Sequence, residues 1–230
     1  RGGRHGDLGL KIGRQGLEPV LQFIDQAQQD GKPFFVWYAP FLPHTPHNPP
    51  QRLLDKYRAL TDSVAVAKYW AMCEWFDETC GQLLEHLDKK GIRDNTIVVY
   101  VCDNGWIQAP NIPNQFASRS KQSPYEGGIR TPIMIRWPAK LSPKFDTKAL
   151  VSSIDLVPTL LKACGLAPTR SMQGVDLLDA QAIARRSSVY AAAYEHDIVE
   201  LNRPAQSLKY RVAINGAKKL ILPNPARAPG

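Results

Sequence analysis

Along residues 17–29 the apolar side chains Leu17, Val20, Leu21 and Ile24 recur at spacings of three and four, which predicts an amphipathic helix stopped by Gly31. The pattern then becomes continuous. Phe34-Phe35-Val36-Trp37-Tyr38-Ala39 and Thr96-Ile97-Val98-Val99-Tyr100-Val101-Cys102 are unbroken apolar runs, the signature of parallel strands buried on both faces. Between them residues 64–90 predict a long helix. Asp62 or Ser63 caps it, Tyr69, Met72, Phe76, Cys80, Leu83 and Leu87 line its buried stripe, and Gly91 ends it. Pro132-Ile133-Met134-Ile135-Arg136-Trp137-Pro138 predicts another short strand, and residues 154–164 another helix, closed by Gly165.

The order helix, strand, helix, strand, strand, helix predicts an α/β fold with a mostly parallel central sheet flanked by helices. Towards the end the rhythm changes to strict alternation. Leu208, Tyr210, Val212 and Ile214 alternate with polar or small residues, Asn215-Gly216 is a two-residue hairpin signal, and Leu220-Ile221-Leu222 brings the chain back. The predicted division is therefore a core over residues 1–169, a linker over 170–188, and a small antiparallel C-terminal β subdomain over 189–230.

Two stretches lack either rhythm. Residues 40–50 carry five prolines with His44 and His47, which excludes helix and sheet there. Residues 106–128 form a long connection, and a loop of that size in a compact domain is more often functional than idle.

With 230 residues, 43% apolar and 22% charged, the chain has the makeup of a folded globular protein, not of a disordered chain or coiled coil. The net charge of +8 comes from cations spread along the sequence, with Arg1, Arg4, Lys11 and Arg14 the nearest thing to a basic arm. No motif supports a nucleic-acid partner, and the excess suits an anionic substrate equally well. No stretch is apolar for long enough to span a membrane. The first residues do not resemble a signal peptide, and with no initiating Met the compartment stays open. The four cysteines lack Cys-x-x-Cys spacing and are expected as buried free thiols.

Candidate chemistry sits at the ends of the strands. Ligands of open α/β sheets bind beyond the carboxyl ends of the strands, where His44 follows one run and Asp103-Asn104-Gly105 follows another. Asp103 and Asn104 supply hard oxygen ligands suited to Ca²⁺ or Mg²⁺, while the same tripeptide is also ordinary turn chemistry. Lys121 lies in the long loop that returns towards a third strand. On parallel neighbouring strands these groups would converge on one rim. A divalent cation, an ammonium and an imidazole together would neutralise a tetrahedral oxyanion and protonate a leaving alkoxide, which fits sulfuryl or phosphoryl ester hydrolysis. His47 is a weaker candidate for substrate contact, Trp106 for lining a pocket, and His86 is expected to be solvated.

The residues also spell a resemblance. Lys32-Pro33-Phe34-Phe35 through His44-Thr45-Pro46, Asp94-Asn95-Thr96-Ile97-Val98 through Asp103-Asn104-Gly105, and Lys121-Gln122-Ser123-Pro124-Tyr125-Glu126-Gly127-Gly128-Ile129-Arg130-Thr131-Pro132 resemble the type I, formylglycine-dependent sulfatases of the alkaline phosphatase superfamily. Asp155-Leu156-Val157-Pro158-Thr159-Leu160-Leu161 and Gly174-Val175-Asp176-Leu177-Leu178 continue it. The resemblance implies an alkaline phosphatase-like fold and Ca²⁺-assisted hydrolysis of a carbohydrate or aryl sulfate. It makes Asp103 and Asn104 a pair of Ca²⁺ ligands, Lys121 a sulfate contact, and His44 a sulfate-binding group that also protonates the leaving group. The glycines of Tyr125-Glu126-Gly127-Gly128 are expected to serve architecture by permitting a turn.

The departures are equally specific. No Cys-x-Pro-x-Arg or Ser-x-Pro-x-Arg segment, the source of formylglycine in that family, occurs in this chain, and the family's early Asp-Asp metal pair is also missing. The expectation is a C-terminal portion of a longer enzyme: inactive alone, holding Ca²⁺ weakly, with the N-terminal portion of the same protein as partner. Export to the periplasm or outside the cell is implied by the family alone. The alternatives are a phosphodiesterase or phosphonate hydrolase of the same superfamily, which would use more His and Asp ligands, and a non-catalytic anion-binding domain.

Overall fold

The computed structural model describes residues 7–227, so Arg1, Arg4 and His5 lie outside the described residues. Residue contacts divide the chain into two units. The first comprises the described residues up to Val98 with Ile107–Ala117 and Arg136–Leu141; the second comprises Val99–Trp106, Ser118–Ile135 and the described residues from Ser142 onward.

The first unit is helical. A short helix α1 (Asp7–Lys11) precedes α2 (Glu18–Gln29), whose Ile24 is buried. Helix α3 (Gln51–Arg58) has no counterpart among the elements expected from the sequence, because half of its eight residues are charged and only Leu53 is buried. It packs on the long α4 (Val64–Lys89), which starts and stops where the sequence places it: Ser63 accepts the Val66 N–H at 3.2 Å, and Gly91 takes a left-handed φ of 68°. Ala65, Ala67 and Ala71 are buried beside Met72, so the packed face of α4 is broader and smaller in side chain than the expected stripe. Near the end of α4, His86 Nε2 lies 2.8 Å from Asp25 Oδ1 on α2, and Lys90 Nζ lies 2.9 Å from Asp25 Oδ2. His86 therefore pairs with Asp25 rather than facing solvent.

One expected strand of this unit does not form. Residues 34–39 are extended, but they enter no ladder among the described residues, and Phe35 and Trp37 are 74% and 82% exposed. Phe34, Val36 and Tyr38 face inward, with Tyr38 Oη donating to Thr79 Oγ1 at 2.8 Å. An extended segment becomes a strand only when a neighbour satisfies its N–H and C=O groups, and here only one face finds packing.

The second unit holds the three-stranded sheet and most of the two-stranded one. Strands β1 (Val98–Val101) and β2 (Ile133–Arg136) pair as a two-stranded sheet, with the four-residue helix α5 (Glu126–Ile129) between them in sequence. β1 is half-buried rather than buried on both faces, and Val101 is exposed. Helix α6 (Leu156–Ala163) follows a turn at Ser153–Asp155, and α7 (Ala180–Arg185) lies within the segment expected to be a linker.

The C-terminal antiparallel sheet is present. β3 (Ser188–Tyr194), β4 (Leu208–Asn215) and β5 (Lys218–Pro223) run antiparallel in that order, with Val212 opposite both Ala191 and Ile221. The Asn215↔Lys218 pair closes the hairpin, and Gly216 at φ 55° makes its turn.

Candidate functional site

The turn after β1 is anchored on both sides. Thr131 Oγ1 donates to Cys102 O at 3.2 Å, and Gly105 N–H donates to Gly128 O at 2.8 Å. Gly105 lies so close to α5 that a Cβ there would come within 2.1 Å of Gly127 O. Gly128 is equally confined, since a Cβ would stand 2.3 Å from Ser123 O and 2.4 Å from Ser120 O. The glycines of this segment thus serve close approach of backbone to backbone. α5 is in turn tied to the C-terminal sheet, where Lys219 Nζ meets Glu126 Oε1 at 2.8 Å.

On this support stand the predicted metal residues. Asp103 is exposed and Asn104 half-buried. Asp103 Oδ1 accepts the Asn104 N–H at 2.8 Å, while Asn104 Nδ2 donates to Gly105 O at 3.0 Å, so the amide is oriented by its own turn. A carboxylate and a carboxamide oxygen fit Ca²⁺ in kind. In number they fall short, because two side chains face a requirement of roughly six to eight oxygens. Among the described residues no group of three or more His, Cys, Asp or Glu forms a metal cluster.

Lys121 joins this turn through an aromatic ring, its Nζ lying 5.6 Å from the centre of the Trp106 ring. That is cation–π range, and it fixes the ammonium without neutralising its charge. The backbone around Lys121 is strained: Arg119 and Gln122 hold φ of 58° and 63°, a region that costs side-chain-bearing residues free energy and that clusters at functional segments. Arg119 stacks over the Tyr125 ring at 4.8 Å. The sequence carried no signal for this strain, because neither position is Gly, Asn or Asp.

The histidines belong to the first unit. His44 is exposed, with Nδ1 3.0 Å from Thr45 O and its ring edge-on to Phe41 at 5.9 Å. His47 is 7% exposed, its ring lies 5.5 Å from Tyr69, and its N–H donates to Asn114 Oδ1 at 2.9 Å. Burial, followed by the charges of His44, Arg14 and Lys68, depresses its pKa to about 4. His47 is therefore neutral at pH 7 and offers hydrogen bonding, not charge, to an anion. The structure thus gathers Asp103, Asn104, Trp106 and Lys121 in one unit and His44 with His47 in the other.

All four cysteines are free; Cys164 is exposed rather than buried, and burial pushes the Cys80 thiol up to about 11. Among the described residues no helix is long and apolar enough to cross a membrane.

Comparison with known proteins bears on this arrangement. The sulfatase family profile matches residues 14–166. The chain is 30% identical over 203 residues to the uncharacterized sulfatase YdeN of Escherichia coli K12, covering 84% of this chain and 36% of that protein. It is 31% identical over 185 residues to the N-acetylgalactosamine-6-sulfatase of Canis lupus familiaris, covering 75% and 34%. A solved structure from Bacteroides thetaiotaomicron, from a genetic locus for the metabolism of multiple glycosaminoglycans, superposes with a TM-score of 0.70 at 21% identity, over 94% of this chain and 52% of that one. The chain spans about a third of the length of these curated relatives.

Proposed function

The chain belongs to the sulfatase family and has its α/β, alkaline phosphatase-like fold, and on that premise we propose that it carries part of the site of a Ca²⁺-assisted sulfuric ester hydrolase. The observation that carries the reading is the turn after β1, where Asp103 and Asn104 stand on the same backbone-locked loop as Trp106, the ring that holds Lys121.

Asp103 and Asn104 would hold the cation. Bound there, Ca²⁺ would supply electrostatic stabilisation of charge on the sulfate oxygens. Lys121 binds the sulfate group through its ammonium, and Trp106 limits the directions in which that ammonium points. His44, exposed on its loop, binds sulfate and protonates the departing alkoxide, a role that needs an imidazole open to the substrate. His47, neutral and enclosed, takes part only as a hydrogen-bonding neighbour of that loop. The sugar in the name of the canine relative supports a carbohydrate sulfate as substrate, with an aryl sulfate as the simpler probe.

The nucleophile does not fit this chain. It has no Cys-x-Pro-x-Arg or Ser-x-Pro-x-Arg segment from which formylglycine could arise, so no step of attack is assigned to its residues. No turnover is therefore expected of this chain alone. The test is a titration of the chain with inorganic sulfate, read from the Lys121 ammonium and Trp106 indole resonances, beside an assay with p-nitrophenyl sulfate. Sulfate should shift both resonances, Lys121→Met should weaken binding at least about tenfold, and no turnover should occur. Silent resonances, or hydrolysis by the chain alone, would defeat the reading.

A further inference from the structure

The loop that presents His44 is gripped by one side chain from an earlier part of the sequence. Arg14 stands in the turn Gly13-Arg14-Gln15-Gly16, which is closed by the Gly13 N–H donating to Gly16 O at 2.9 Å. From there its Nη2 donates to Phe41 O at 3.0 Å and to His44 O at 3.1 Å. Nη1 donates to Asn48 Oδ1, and both nitrogens reach Pro46 O at 3.4 Å. The guanidinium also lies over the Trp75 ring at 5.7 Å.

The chemistry of the loop explains why an arginine is needed. Five of the eleven residues from 40 to 50 are prolines, which have carbonyls but no N–H. Such a loop is rich in acceptors and poor in donors, so its carbonyls must find donors elsewhere. A guanidinium offers five N–H groups in one rigid plane, enough to serve several carbonyls along a curved segment, whereas an ammonium is a single point with three. The contacts run from Phe41 to Asn48 and include the carbonyl of His44 itself.

We propose that Arg14 is a positioning residue for His44: it fixes the backbone of residues 41–48 and so sets where the His44 imidazole is held. The proposal rests on the reading of His44 as a sulfate-binding group. Arg14 touches neither sulfate nor leaving group in this role and acts only through the loop.

The test uses the full chain with Arg14→Met and Arg14→Lys, the second keeping the charge but not the planar fork. Amide order parameters of His44, Thr45, His47 and Asn48 are measured by ¹⁵N relaxation, and inorganic sulfate is titrated against the His44 ring carbons. The amides should fall from the rigid range near about 0.85 to below about 0.6 in Arg14→Met, with little rescue by Arg14→Lys. Sulfate affinity at His44 should weaken at least about tenfold in both variants. Order parameters unchanged in Arg14→Met, full rescue by Arg14→Lys, or a loosened loop with native sulfate affinity would each overturn the proposal. A loosened loop together with a native His44 that ignores sulfate would uphold the clamp and remove the sulfate role instead.

Discussion

Removing the Asp155 carboxylate should strongly destabilise the second unit. The side chain is 0% exposed and accepts four hydrogen bonds: from Ser152 N–H at 2.8 Å, from Val175 N–H at 2.8 Å, and from both terminal nitrogens of Arg186, one at 2.7 Å. Arg186 is itself only 10% exposed. Asp155→Ala thus orphans two backbone donors and a buried guanidinium. Removing one partner of a buried ion pair costs about 3–5 kcal/mol, and the two orphaned backbone donors, at about 1–3 kcal/mol each, put the expected loss at the upper end of that range or above it. Arg186→Met should cost less, about 2–3 kcal/mol, because the carboxylate keeps the Ser152 and Val175 N–H groups. The double variant should fall short of the sum by about 1–3 kcal/mol, the signature of a coupled pair. Urea denaturation followed by far-UV circular dichroism measures all three. A loss below about 1 kcal/mol for Asp155→Ala, or strict additivity in the double variant, would refute the argument.

Three further outcomes follow from single features. His47 has a folded pKa near 4 against about 6.5 when unfolded, so the unfolded chain binds the extra proton between those values. Stability is fully present above about pH 6.5 and is lost as pH falls towards 4; between pH 7 and 5 the His47 share is about 2 kcal/mol. A His47→Gln variant should flatten that slope in urea titrations, and an unchanged slope would assign it elsewhere. Gly105→Ala drives a methyl into Gly127 O, which should cost about 1–3 kcal/mol and displace the Asp103-Asn104 turn; thermal melting checks the first and calcium titration the second, and a variant indistinguishable from native in both would contradict the packing described. Iodoacetamide at pH 7.5 should alkylate the exposed Cys164 well before Cys80, whose thiol is held near 11; peptide mass spectrometry reads the order, and a Cys80 modified first would contradict its burial.

Periodicity and turn chemistry made much of the fold legible. α4 follows from its Ser63 cap, its apolar spacing and Gly91, and the β4–β5 hairpin from alternation around Asn215-Gly216, because these signals are local. Residues 34–39 read as a buried strand from composition alone, but whether an apolar run becomes a strand depends on a neighbour, which no local pattern encodes. α3 offers little apolar periodicity to read, since half of its residues are charged and Leu53 is its buried residue; its charged side chains pair with α4, Arg52 to Glu78 at 2.5 Å and Lys56 to Glu74 at 2.8 Å.

The site shows the same division. Asp103, Asn104, Lys121 and His44 were visible as residue types placed after apolar runs, and resemblance to the sulfatases gave them roles. What holds them was not visible. The meeting of Gly105 with Gly127, the strained residues beside Lys121, and the reach of Arg14 across the proline loop are products of tertiary approach, and Arg14 had read only as part of a basic arm.

The central claim is that the turn after β1 is a calcium-ligating portion of a sulfatase site, and calcium titration of the chain by isothermal calorimetry tests it most directly. Weak binding is expected, with Kd at or above about 10⁻⁴ M for a site short of ligands, abolished in the Asp103→Ala/Asn104→Ala double variant. Tight binding that survives the double variant, or no difference between the two proteins, would contradict it.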